Sequence, residues 1–176
     1  TSASGSSELS VPMSASDSPT SDPTQPLPEG EAKATTVRSM FDAIAPRYDL
    51  VNRIMPFRLD VAWRRRTVRR LDLPAGSLVL DLACGTGDLC RDLDRAGMAP
   101  LGMDLSWGML AAARTEAPLV HADALRLPVA DGSADGVTCG FALRNLTGLE
   151  PFFAELARAL RPGGRVAILE VDRPRN

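Results

Sequence analysis

The sequence predicts an α/β fold built on a parallel sheet, and three observations support this prediction. Residues 78–82 (LVLDL) form a short apolar run of the kind that is buried on both faces of such a sheet. The run ends in the turn 83–87 (ACGTG), whose glycines allow a sharp change of direction into a helical pattern. Further short apolar runs at 99–103, 119–121, 135–141 and 166–171 alternate with helical stretches. With 176 residues, 44% of them hydrophobic, the chain suits one domain of this class.

Composition excludes several classes of function. A formal net charge of −2 provides no overall attraction to nucleic acid. The three cysteines have neither metal-site spacing nor a disulfide pattern, which favours a reducing cytoplasm. The single histidine, His121, argues against a histidine-rich metal site, and we expect no metal. No apolar run reaches a membrane-spanning length.

The chain divides into a tail and one domain. Residues 1–36 are rich in Ser, Thr, Pro, Ala and acids, and we expect a disordered tail that is neither a signal nor a transit peptide. Residues 37–72 form a helical cap with nine arginines against four aspartates, roughly +5, and residues 73–176 form the core. The cap pattern predicts helices over residues 37–45, 48–55 and 59–71. The arginines of the third helix form either a solvated face or a surface that meets anionic lipid or an acidic partner.

A strand, a glycine-rich turn and a helix N-terminus together favour a nucleotide-type pocket at Gly85, Thr86 and Gly87. The dinucleotide fingerprint requires a third glycine where this chain has Cys90. Asp81, just ahead of the turn, would repel a pyrophosphate and attract a cationic amino acid moiety. An ordinary strand-to-helix connection is the alternative interpretation.

Three further positions follow predicted strands. Asp104 lies about twenty residues beyond the glycine turn, where a carboxylate can bind both hydroxyls of a ribose; a helix cap, a role that Ser106 could also take, is the alternative. Arg144 and Asn145 follow the fourth strand, at the edge of the sheet where ligands bind, and we expect both to face the pocket. The alternative for Arg144 is an ion pair with an acid such as Glu150.

Two longer stretches resemble a known family. Residues 78–89 (LVLDLACGTGDL) resemble the first motif of class I S-adenosylmethionine-dependent methyltransferases. Residues 41–63 (FDAIAPRYDLVNRIMPFRLDVAW) and 158–172 (RALRPGGRVAILEVD) resemble the two signatures of the ubiquinone/menaquinone-biosynthesis C-methyltransferases. The chain departs from the family pattern at five positions: Pro56, Asp60, Gly140, Ala142 and Asp172.

The resemblance implies a Rossmann-like sheet of strand order 3-2-1-4-5, without the family's last two strands, under an N-terminal helical cap that covers the pocket. It implies S-adenosylmethionine as cofactor, with Asp123 accepting the exocyclic N–H of adenine. Cofactor contacts are then expected from Asp81, Gly85, Thr86, Gly87, Asp104, Leu105, Asp123, Ala124 and Gly140. Tyr48 would lie close to the transferring methyl group, Arg144 would stabilise a phenolate, and Asn145 would hydrogen-bond the second ring oxygen.

The predicted function is therefore C-methylation of a prenylated quinol such as demethylmenaquinol. Three alternatives stay open: methylation of another small aromatic or polyketide-like acceptor, a non-catalytic cofactor-binding subunit or fragment, and, more distantly, a dinucleotide oxidoreductase. The expected location is the cytoplasm, with peripheral membrane contact through residues 59–71 left open. A second copy of the chain could cover the exposed edge of the fifth strand.

Overall fold

A computed structural model describes residues 32–33, 35–43 and 59–170. Residues 32, 33 and 35–43 are helical, and we label these residues together α1. The other elements are α2 (Leu59–Leu71), β1 (Leu78–Leu82), α3 (Asp88–Arg95), β2 (Ala99–Asp104), α4 (Trp107–Ala111), β3 (Leu119–His121), β4 (Ala134–Gly140), α5 (Leu149–Ala159) and β5 (Leu160–Leu169). A short 3-10 turn at Leu143–Asn145 follows β4.

The five strands form one parallel sheet in the order β3-β2-β1-β4-β5, which confirms the predicted topology. β1 lies at the centre, with Leu80 paired to Leu101 of β2 on one side and to Val137 of β4 on the other. A central parallel strand is covered on both faces, which explains why β1 is apolar along almost its whole length.

Side-chain alternation along β1 assigns its residues to two separate cores. Leu80 and Leu82 pack on the face covered by α5, against Phe152 and Leu156. Val79 packs on the opposite face, in a cluster that α2 and α3 supply with Val68, Leu71, Leu89 and Leu93. Since successive residues of a strand face opposite sides, Asp81 falls on the α2 and α3 side with Val79.

An ion-pair cluster attaches α2 to α3. Arg64 contacts Asp60 at 2.6 Å, Asp92 at 3.2 Å and Asp88 at 3.4 Å. The remaining arginines of this helix, Arg65, Arg66, Arg69 and Arg70, are exposed. The arginine-rich helix therefore has one inward cation that holds it to the core and an outward basic face.

Several predicted boundaries differ from the observed ones. Helical residues 32, 33, 35 and 36 precede Val37, so the boundary placed at residue 36 falls inside a helical region. The fifth strand, expected to begin at residue 166, begins at Leu160, and it contains a bulge because pairing passes from Ala134–Leu160 directly to Gly136–Arg165. The predicted helix at 48–55 lies outside the described residues. Within the described part of the chain, no helix combines the length and apolar character needed to cross a bilayer.

Candidate active site

The carboxyl ends of the strands open into one cavity with an empty volume of about 870 Å³, counting its open mouth. This is the edge of a doubly wound sheet where ligands bind. The turn after β1, the loop after β2, residues 122–125 after β3 and residues 140–142 and 145–147 after β4 line the cavity, and α1 adds Val37, Arg38 and Phe41.

The structure brings most of the sequence-predicted site residues to this cavity. The lining includes Gly85, Asp104, Leu105, Asp123, Ala124, Gly140 and Asn145. Four predicted residues do not line it: Asp81, Thr86, Gly87 and Arg144. Tyr48 lies outside the described residues. No contact with a ligand is tested by this arrangement, so the individual roles remain predictions.

The two glycines of the turn serve different purposes. At Gly85, φ is +55° and a Cβ atom would meet nothing within 4 Å, so the backbone faces open space in the cavity. At Gly87, φ is +81° and a Cβ atom would lie 2.6 Å from Cγ2 of Thr115. Gly85 thus leaves room for a ligand against the main chain, whereas Gly87 is required for close packing within the protein.

Asp104 is held in place by backbone N–H groups from the turn after β1 and from the loop after β2. One carboxylate oxygen accepts the Gly85 N–H at 2.8 Å, and the other accepts the Ser106 N–H at 2.8 Å. Each oxygen has a second lone pair, so the carboxylate retains acceptor capacity for a pair of hydroxyl donors. Burial raises the pKa of Asp104 above its usual range, against the effect of these two N–H groups.

The helix-cap alternative considered for this region applies to Ser106. Its Oγ accepts the backbone N–H of Met109 at 3.1 Å and caps α4. Asp123 is exposed in the cavity wall after β3, where its carboxylate accepts the Leu125 N–H at 2.9 Å. Hydrogen bonds therefore hold the loop that carries Asp104 at both of its ends. The Asp104 carboxylate still has lone pairs that accept no hydrogen bond from these partners.

Asp81 lies beneath the turn and not in the cavity. It is 0% exposed and accepts hydrogen bonds from Oγ1 of Thr138 at 2.8 Å and from Sγ of Cys90 at 3.3 Å. The backbone N–H of Cys90, in the first turn of α3, also donates to it. The N-terminus of α3 thus already holds a carboxylate of the protein, because strand alternation turns Asp81 towards α3. Burial raises the pKa of Asp81 to about 7.

Unusual backbone conformations coincide with the cavity wall. Ala83 has φ of 52° and Phe141 has φ of 59°, and each directly follows the last residue of a central strand. The left-handed region costs a residue with a side chain roughly 1–2 kcal/mol. Both residues line the cavity, as expected where strain is held at a functional site.

Arg144 and Asn145, which follow β4, lie in different environments. Asn145 lines the cavity, whereas the Arg144 side chain is 61% exposed and pairs with Glu170 at 2.6 Å. An ion pair with an acid is the alternative predicted for Arg144, and the observed partner is Glu170 rather than Glu150. The 3-10 turn explains the split, because adjacent residues in a helical turn project in different directions.

Sequence reasoning missed the polar contacts of α1. Asp42 accepts hydrogen bonds from the Ser106 hydroxyl at 2.5 Å and from the Gly108 N–H at 2.9 Å. The apolar spacing of Val37 and Phe41 indicated an inward face, but Asp42 had no pattern that could identify its partners, which are more than sixty residues away.

Comparisons with known proteins agree with this architecture. A model of the ubiE/COQ5 methyltransferase family matches residues 29–176. A demethylmenaquinone methyltransferase of Corynebacterium urealyticum is 44% identical over 139 residues, which cover 78% of this chain and 60% of that protein. The chain therefore spans about three fifths of the length of this curated relative.

Solved structures share the fold. A phosphoethanolamine N-methyltransferase 2 of Haemonchus contortus, in complex with phosphomonomethylethanolamine and S-adenosylhomocysteine, has a TM-score of 0.56 and 26% identity over 61% of this chain and 27% of its own. The [4+2]-cyclase SpnF has a TM-score of 0.70 over 81% of this chain and 61% of its own, and at 21% identity this likeness concerns the fold alone.

Proposed function

Since the chain belongs to the ubiE/COQ5 methyltransferase family, we propose that it transfers a methyl group from S-adenosylmethionine to a ring carbon of a prenylated quinol such as demethylmenaquinol. The observation that carries the proposal is the position of Gly85, Asp104 and Asp123 on one side of a cavity that Asn145 lines on the other. The naming of the curated relative supports the quinol as substrate class.

The residues on the β1–β3 side fit an adenosyl cofactor. The Asp104 carboxylate would accept the ribose hydroxyls with the lone pairs left by its two backbone partners. Asp123 would accept the exocyclic amine of adenine, and the side chains of Leu105 and Met109 supply apolar surface for the base. The open space at Gly85 admits a ligand that a side chain would displace. When bound, the cofactor supplies an electrophilic methyl group on a sulfonium.

The acceptor would lie against α1 and the residues after β4. Phe41, Ala142 and Leu146 provide apolar surface for an aromatic ring, and the Asn145 amide would hydrogen-bond a ring oxygen. Arg144 would exchange the Glu170 carboxylate for the phenolate oxygen of the acceptor, a like-for-like replacement of one anion by another. Holding the acceptor carbon in line with the methyl group is the main contribution expected from these residues.

The test is turnover by the purified chain with methyl-labelled S-adenosylmethionine and demethylmenaquinol, followed by mass spectrometry of the quinone fraction. The expected product carries one labelled methyl group on a ring carbon. Tight binding of S-adenosylhomocysteine without product from any quinol would favour the non-catalytic subunit instead. Product only with a different aromatic acceptor would correct the substrate and keep the chemistry.

The proposal includes a cytoplasmic protein that contacts the membrane surface through α2. Arg65, Arg66, Arg69 and Arg70 are exposed on this helix, and Trp63 beside them is 44% exposed. Arginines on one surface, with a partly exposed indole, suit anionic headgroups. Co-sedimentation with phosphatidylglycerol vesicles should exceed that with phosphatidylcholine vesicles. Arg69→Glu should reduce it, whereas Arg126→Glu, an equal charge change on an exposed loop far from α2, should not.

Self-association is the last part of the proposal. In the described part of the chain, β5 pairs with β4 alone, and Val166 on β5 is 43% exposed. An open strand edge can pair with the same edge of a second copy. Sedimentation velocity over a concentration series should detect a dimer, and a constant monomer mass would contradict it.

A further inference from the structure

Helix α1 is attached to both sides of the cavity. The Lys33 ammonium donates to the carbonyl oxygen of Leu146 at 2.9 Å, on the β4 side. Nine positions later, Asp42 contacts the loop after β2 on the opposite side. Val37 and Phe41, between these two anchors, line the cavity. Movement of α1 would therefore open the cavity, and its two polar anchors resist that movement.

The Asp42 anchor joins the loop that carries Asp104. One Asp42 carboxylate oxygen accepts both the Ser106 hydroxyl at 2.5 Å and the Gly108 N–H at 2.9 Å. The Ser106 N–H in turn donates to Asp104 at 2.8 Å. A single residue, Ser106, thus contacts the α1 carboxylate through its hydroxyl and the cavity carboxylate through its backbone.

The backbones of α1 and α4 approach closely at this point. A Cβ atom on Gly108 would lie 3.0 Å from the Cα atom of Asp42, so a side chain there would push the two backbones apart. Ser106 caps α4 through Met109 without help from Asp42. Asp42 accepts a second free N–H of the same helix end, that of Gly108, so its two hydrogen bonds join α1 to the start of α4.

The charges around Asp42 favour its ionised form. The Ser106 hydroxyl, followed by the Gly108 N–H, lowers the pKa of the Asp42 carboxyl, and Arg38 and His121 act in the same direction. His121 also lies 2.8 Å from the Leu105 carbonyl oxygen through Nε2 and packs edge-on against Trp107, with ring centroids 5.7 Å apart. Trp107 lies between the two residues that Asp42 binds and can report on this contact.

We propose that Asp42 is a positioning residue that couples the docking of α1 to the loop of Asp104 and thereby slows release of the adenosyl ligand. The inference rests on the cofactor assigned under the proposed function. Asp42 does not touch the ligand in this role: it holds α1 over the cavity and holds the Ser106 N–H against Asp104. Loss of Asp42 should therefore raise the dissociation rate of the ligand more than it lowers the association rate.

The first experiment needs no ligand. Hydrogen exchange is measured on the wild-type chain, on Asp42→Ala and on Ser39→Ala, a matched substitution at an exposed position of α1. Asp42→Ala should accelerate exchange in residues 35–43 and at the Gly108 amide by at least about tenfold, the effect of losing a single hydrogen bond to a charged group. Ser39→Ala should leave both unchanged. Equal exchange in all three proteins would overturn the proposal.

The second experiment measures release of S-adenosylhomocysteine by stopped-flow fluorescence. The chain has two tryptophans, so a Trp63→Phe background leaves Trp107 as the only indole reporter. Asp42→Ala should raise the dissociation rate about tenfold and change the association rate less than about threefold. Asp42→Asn keeps an acceptor oxygen and should have a smaller effect, which guards against a misfolded alanine variant. Unchanged dissociation from both variants would refute the coupling.

The two experiments separate this proposal from the assignment of the cofactor. Failure of the wild-type chain to bind S-adenosylhomocysteine would overturn the cofactor assignment and the role of Asp42 with it, whatever exchange reported. Normal binding by the wild type, with release unaffected in the Asp42 variants, would overturn the role of Asp42 alone.

Discussion

The cavity has two walls of different construction. The wall formed by β1, β2 and the turn at Gly85 consists of central parallel strands whose loops hydrogen-bond to one another, as Gly85 and Asp104 do at 2.8 Å. The opposite wall is α1, which reaches the domain through Lys33, Asp42 and a few apolar side chains. The first wall is part of the sheet and persists as long as the sheet is folded. The second wall depends on contacts that can open without unfolding the core. We expect the first to determine whether a ligand binds and the second to determine how long it stays.

The largest expected effect concerns Asp81, beneath the strand wall. Its pKa is raised to about 7 by burial, so its favourable contribution to stability is complete below the unfolded pKa and is lost as pH rises through 7. At 1.36 kcal/mol per pKa unit, the loss between pH 4 and pH 8 is at most about 4 kcal/mol. Asp81→Asn, a neutral substitute of the same shape, should remove this dependence. Denaturant unfolding at several pH values measures it, and a difference between the two proteins that stays constant with pH would refute it.

Asp42 lies on the α1 wall, and its contribution to stability should change with pH in the opposite direction to that of Asp81. Its pKa is lowered, mainly by the Ser106 hydroxyl, so the stability that it contributes is present above the unfolded pKa and is lost as pH falls through the folded one. Hydrogen exchange in residues 35–43 should therefore accelerate below about pH 4, after correction for the intrinsic exchange rate. Protection that is independent of pH in this range would indicate that Asp42 does not hold α1.

Asp104→Asn tests the strand wall directly. Loss of a charged acceptor for two hydroxyl donors should weaken S-adenosylhomocysteine binding by about 100-fold or more, since hydrogen bonds to charged groups contribute roughly 1.5–3 kcal/mol each. Isothermal titration calorimetry measures the change. Asp94→Asn, an exposed position on α3, is the matched control and should bind normally. A loss below threefold for Asp104→Asn would mean that the carboxylate has no ligand role.

Gly87→Ala tests whether packing within the protein excludes a side chain at this position of the turn. The new Cβ atom would lie 2.6 Å from Thr115, in addition to the cost of φ at +81°. Gly76 has the same φ and nothing within 4 Å, so Gly76→Ala provides the conformational cost alone. Gly87→Ala should therefore lose about 1–3 kcal/mol more unfolding free energy than Gly76→Ala, the usual cost of overpacking. Equal losses would show that Thr115 moves aside freely.

Phe41→Ala should have the smallest effect on ligand affinity. Removing its ring from the α1 wall takes apolar surface from the cavity but leaves both polar anchors of α1 intact. We expect about a tenfold weakening of S-adenosylhomocysteine binding, with Met40→Ala, an exposed neighbour, as control. A loss of affinity as large as that of Asp104→Asn would contradict the expected difference between the two walls.

Much of the strand wall could be predicted from local sequence. The apolar run at 78–82, the glycine turn and the acid about twenty residues later define Gly85 and Asp104 without any knowledge of distant contacts. The same reasoning placed Asp81 in the pocket, because proximity along the chain does not reveal which face of a buried strand a side chain takes. Only the packing of α3 over β1 and the pairing of β1 with β4 show that Cys90 and Thr138 enclose it.

By itself the sequence determined the α/β class and the residues at the carboxyl ends of the strands, since these depend on periodicity, glycine placement and chain direction. The strand order was implied by the resemblance to the family and not by these local patterns. The tertiary structure alone decided which of those residues share a cavity. It assigned Arg144 to Glu170 rather than to the cavity and seated Asp42 on Ser106 and Gly108. The physical reason is that hydrogen bonds and ion pairs between distant segments depend on side-chain direction and on a few ångströms of packing, and neither has a local sequence pattern.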